Sequence, residues 1–125
     1  MDNENEVIEK KEYSNSDDPA LLLVKGVSGS KEDNKQRVKD LATAISTVFQ
    51  KHNVVRLRCI GKGAIGNAVY AHAIARGELS KQGVDLQSSP VFKTVILDKE
   101  NNVERTSILM ELNDIPSGGA TNGGE

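Results

Sequence analysis

Residues 60–77 read IGKGAIGNAVYAHAIARG, and the fold turns on how this stretch is read. An apolar strand runs into Gly61, Lys62 and Gly63, and an alanine-rich helix follows at once. The N–H groups at a helix start carry the positive end of the helix dipole. With a cation beside them they suit a phosphate. Gly61, Gly63 and Gly66 also spell the G-x-G-x-x-G dinucleotide fingerprint. The phosphate therefore belongs either to a nucleotide or to a nucleic acid backbone.

Just upstream, in residues 54–60, Val55, Leu57 and Cys59 alternate with Arg56 and Arg58. Such alternation describes a strand with one buried and one wet face. The strand entering a dinucleotide fingerprint lies in a parallel sheet covered on both sides and is apolar nearly throughout. Asp85, nineteen residues after Gly66, does stand near the ribose-binding position of that fingerprint. A body of about ninety residues is nevertheless short for a two-halved nucleotide fold.

Working outward, residues 20–27 predict a first strand, broken by Ser28, Gly29 and Ser30. Ser30 and Asp33 have the spacing of a helix N-cap and its return acid. Behind them Val38, Leu41, Ala42, Ile45, Val48 and Phe49 form one apolar stripe, ending near His52 and Asn53. The second helix is predicted over 64–78, with Gly77 placed to stop it. Residues 84–86 and 91–97 predict an extended segment interrupted at Pro90, an edge or bulge position. A polar loop over 98–102 and a strand over 103–112 complete the order β-α-β-α-β-β.

The ends differ from this body. Residues 1–20 carry seven acids against Lys10 and Lys11, and residues 113–125 are mostly Gly, Ser, Asn and Thr. Both are expected to be disordered tails around a domain at 21–112. The chain's net charge of −2 hides fourteen bases and nine acids in that domain, a net +5. A basic body with acidic ends fits a polyanion partner for which the ends compete. No apolar run approaches the roughly 18 residues of a membrane span, and the acidic start lacks the features of a signal peptide, so a cytoplasmic protein is expected. Cys59 reads as a small core residue. Two histidines twenty residues apart make no metal site, and no nucleophile motif or paired carboxylates stand out. No enzyme activity, metal or cofactor is expected.

The stretch 60–77, together with Val84-Asp85-Leu86 and Glu104-Arg105-Thr106, resembles the stage V sporulation protein S family. That family in turn resembles the Alba superfamily. The resemblance implies an α+β, Alba-like two-layer sandwich of a four-stranded sheet and two helices. It also implies a homodimer that binds DNA or RNA through the turn before the second helix and through the last hairpin. Here those positions are Gly61, Lys62 and Gly63, with Lys99 and Arg105 on or beside the hairpin. Gly66 and Tyr70 depart from the asparagine and lysine usual in the family.

Arg58 on its strand and Asn67 on the second helix complete the candidate contacts. Tyr70, three positions from Asn67, and His72 are candidates for a dimer interface. The expected function is a non-catalytic, nucleic-acid-binding regulator acting through phosphates. The alternative is an oligomeric, protein-binding scaffold on the same fold.

Overall fold

The computed structural model describes residues 18–98 and 100–115. Expectations that fall on residues 1–17, Lys99 and 116–125 lie outside the described residues. The elements are β1 (Leu21–Val24), α1 (Lys31–His52), β2 (Val54–Ile60), α2 (Lys62–Leu79), a 3-10 turn (Ser80–Gln82), β3 (Leu86–Asp98) and β4 (Val103–Asp114). The sheet order is β1-β2-β4-β3, with β1 parallel to β2 and the remaining pairs antiparallel. This is the expected α+β, Alba-like two-layer sandwich, with both helices on one face of the sheet.

Strand alternation decides which face the helices cover. Val55, Leu57 and Cys59 on β2 and Met110 and Leu112 on β4 pack with Ala42, Ile45 and Phe49 of α1. The alanines Ala64, Ala68, Ala71 and Ala75 bring α2 close to the same layer. Burying a Leu or Phe side chain contributes about 1.5–3 kcal/mol each, so this one layer supplies the main stabilisation. Burial also pushes the Cys59 thiol up to about 11, which leaves it a neutral core group at physiological pH.

Several local expectations need revision. β1 stops at Val24, and residues 25–30 form a loop. α2 begins at Lys62, because Gly61 serves as its N-cap with φ 90° and ψ 158°, a region essentially reserved for glycine. Gly77 does not end α2: it sits inside the helix facing open space, and the left-handed residue that closes the turn is Gly83, φ 83°. β3 runs unbroken through Pro90, which pairs with Met110; as an edge strand β3 can lose one N–H on its outer side. The irregularity lies farther on, between Ile96 and Asp98.

At the lower end of the sheet Ala20 is buried and its carbonyl accepts the Arg56 N–H at 2.8 Å. β4 extends to Asp114, two residues past the expected boundary. No helix among the described residues is long and apolar enough to cross a membrane.

Candidate nucleic-acid interface

Cross-strand register sorts the basic side chains. Arg56 pairs with Glu111 and Arg58 with Leu109, while Ile60 pairs with Ser107 and Ser107 with Lys93. Directly paired residues share a face, and faces alternate along a strand. Arg56, Arg58, Lys93 and Arg105 therefore all stand on the face away from the helices. Among the described side chains of that face the strands contribute one carboxylate, Glu111, which is held by Arg56 at 2.8 Å.

This face extends beyond the body. β2 ends at Ile60, opposite Ser107, so residues 94–98 and 103–106 pair only with each other and form a projecting arm. Arg105 is exposed on the arm. Phe92 lies at its base on the opposite side, 77% exposed, in the row that runs through Ile108 to Cys59. The Gly61 turn follows two residues after Cys59, so the turn and the base of the arm occupy the same end of the molecule.

At the turn, Gly61 is exposed, and no described side chain caps α2. Its first turn contains no acid, and Lys62 is exposed there. Gly63 is needed for close approach, since a Cβ would stand 3.1 Å from the Val27 nitrogen. Asn67 lies one turn later, only 4% exposed. Its Nδ2 donates to the Lys25 carbonyl at 3.1 Å, and its Oδ1 accepts from Asn34 Nδ2 at 3.1 Å. Asn67 thereby fastens the start of α2 to α1 and to the loop after β1.

Asn67 and Tyr70, although three positions apart on α2, do not share a surface. Asn67 turns inward, whereas Tyr70 is 70% exposed, beside exposed Val69 and Ile74. Tyr70 and Ile74 line a groove of about 610 Å³ with Lys31, Lys35, Val38 and Lys39. His72 Nε2 donates to the Leu86 carbonyl at 2.7 Å, which ties α2 to β3. Lys99 lies outside the described residues. Sequence reasoning missed Lys93 and Phe92. The phase of Lys93 was hidden by the apparent break at Pro90, and the exposure of Phe92 depends on β3 being the edge strand.

Arg56 closes the lower end of the open face. It also binds Asp18, Nη1 to Oδ2 at 2.7 Å. Burial acts to raise the Asp18 carboxyl, but the Ala20 N–H and the Arg56 guanidinium hold it below the usual carboxylate range. The hydrogen bonds that Arg56 donates to Asp18 and then to Glu111 raise Arg56 in turn. Glu111, directly opposite on β4, is thus the cross-strand partner of Arg56.

The dinucleotide alternative meets two obstacles. Asp85 precedes β3 at the far end of α2, an eighteen-residue helix about 27 Å long, and it is paired with Arg76 at 2.9 Å. The strands that follow the glycines are antiparallel, so no second parallel unit is available.

The family model for stage V sporulation protein S matches residues 31–114. The chain belongs to this family. The match begins at α1 and ends with β4, so it covers both helices and the hairpin while β1 precedes it. Membership in the stage V sporulation protein S family makes this a sporulation-related protein, and the family is not known for catalysis.

Proposed function

We propose that this member of the stage V sporulation protein S family is a non-catalytic regulator that binds DNA or RNA through phosphates. The observation that carries the reading is the segregation of strand cations: Arg56, Arg58, Lys93 and Arg105 share the open face and lead onto the arm. At the same end, Lys62 and the N–H groups that begin α2 receive a further phosphate. Gly61 and Gly63 give the bend its shape, and Asn67 positions it. A cation row of this kind follows a backbone and carries little base information. On the other side of the arm's base, Phe92 offers an aromatic surface to an unstacked base. Lys99 belongs to the same proposed contact set.

The test is fluorescence anisotropy with labelled duplex DNA, single strands and RNA at about 50 mM salt, repeated at rising salt. Affinity should fall with a log-log slope near 0.9 per phosphate neutralised on duplex DNA. Unchanged affinity in Lys62→Glu, Arg58→Glu and Arg105→Glu alike would remove the assignment.

A second reading is favoured by exposed Val69, Tyr70 and Ile74 on α2, which fit a protein surface better than a phosphate. On this reading the fold is a homo-oligomeric scaffold, with Tyr70 at the subunit contact and His72 supporting it through β3. Light scattering on the wild type and on Tyr70→Glu reads it directly. A dimer that becomes a monomer supports the contact, and a wild-type monomer removes it.

A further inference from the structure

We propose that the acidic N-terminal segment, residues 1–17, docks across the open face of the sheet and competes there with the polyanion. The competition rests on the nucleic-acid reading, whereas the docking stands on the geometry alone.

Three observations support the docking. First, Asp18, where the described structure begins, already lies over this face, with its carboxylate on Arg56 at 2.7 Å. The chain therefore enters the fold at the Arg56 end of the basic row, opposite the Gly61 turn. Second, the next cations continue from that anchor. Arg58 stands about 7 Å farther along β2, and Lys93 and Arg105 follow toward the arm.

Third, the segment matches the surface in charge and character. It carries Asp2, Glu4, Glu6, Glu9, Glu12 and Asp17 against Lys10 and Lys11, with Val7, Ile8 and Tyr13 among them. The face offers exposed Leu23 and Val91 on either side of the Arg58 and Leu109 pair. Extended, seventeen residues span up to ~56 Å, while the row from Arg56 to Arg105 covers only about 20 Å. The lysine-lined groove between α1 and α2 is the competing berth. It lies on the helix side, whereas the Asp18 carboxylate is turned to Arg56 on the open face.

The docking test places a nitroxide on Ser14→Cys in the full chain and reads amide signal loss by NMR. Cys59 is buried and stays unlabelled. The amides of Leu23, Arg58, Leu109 and Val91 should lose intensity while those of Lys35, Tyr70 and Ile74 keep it. The pattern should fade near 1 M salt, where the Debye length is about 3 Å. Loss centred on Lys35, Tyr70 and Ile74, or uniform loss, overturns the docking.

The competition test uses the full chain with Asp2→Asn, Glu4→Gln, Glu6→Gln, Glu9→Gln, Glu12→Gln and Asp17→Asn. Its affinity for duplex DNA or RNA should rise about fivefold or more, the scale of ordinary coupling between linked sites. Equal affinity overturns the competition. Failure of both proteins to bind either polymer overturns the nucleic-acid reading, and the nitroxide pattern still decides the docking.

Discussion

The two helices begin in opposite ways. α1 satisfies itself: Ser30 Oγ accepts the Asp33 N–H at 3.0 Å, Asp33 Oδ2 accepts the Ser30 N–H at 3.3 Å, and Glu32 adds a second acid to the turn. α2 begins at a glycine with no described side-chain cap, without an acid in its first turn, and with Lys62 in it. Its positive dipole end is thus reinforced where the other is neutralised. Leaving a helix start in that condition costs stability, and an external anion restores what the sequence omits. The proposed phosphate contact at the second start depends on this difference.

The largest effect expected from breaking this contrast is on binding. Lys62→Glu should lower affinity for duplex DNA or RNA about tenfold at low salt and reduce the salt slope by about one contact, as read by anisotropy. Gly61→Ala comes next, with a cost of about 2 kcal/mol in urea unfolding. Its added Cβ meets nothing within 4 Å, so the penalty is that of the backbone conformation alone. Ser30→Ala should cost about 1 kcal/mol through loss of the cap and leave nucleic-acid affinity unchanged. The smallest effect is the sharpest: Lys62→Glu should raise stability by about 0.5 kcal/mol, because an acid suits a helix start. A variant that binds less and melts later separates a helix built for a ligand from one that is merely poorly capped.

Much of this architecture is legible in the residues. The Arg56 and Arg58 alternation announces a one-sided sheet, and Ser30 with Asp33 announces the start of α1. Local signals fail where tertiary position decides. Gly77 resembles a helix stop, yet nothing about a glycine reveals whether the chain turns left-handed there or at Gly83. Asn67 resembles a surface contact because its partners, Asn34 and the Lys25 carbonyl, come from elements far away in sequence. Lys93 could be given a face only once β3 proved continuous through Pro90. Phe92 is exposed because it lies on the edge strand, while Cys59 in the same row is buried, a difference of sheet position that no window of residues contains.

Pro90 has a consequence of its own. β3 is long and lies at the margin of the sheet, the position from which chains stack edge to edge into fibres. A strand approaching along that margin finds a missing donor at Pro90, while the opposite margin, β1, offers only four residues. The molecule can therefore carry a long arm at high concentration with little tendency to zip into aggregates.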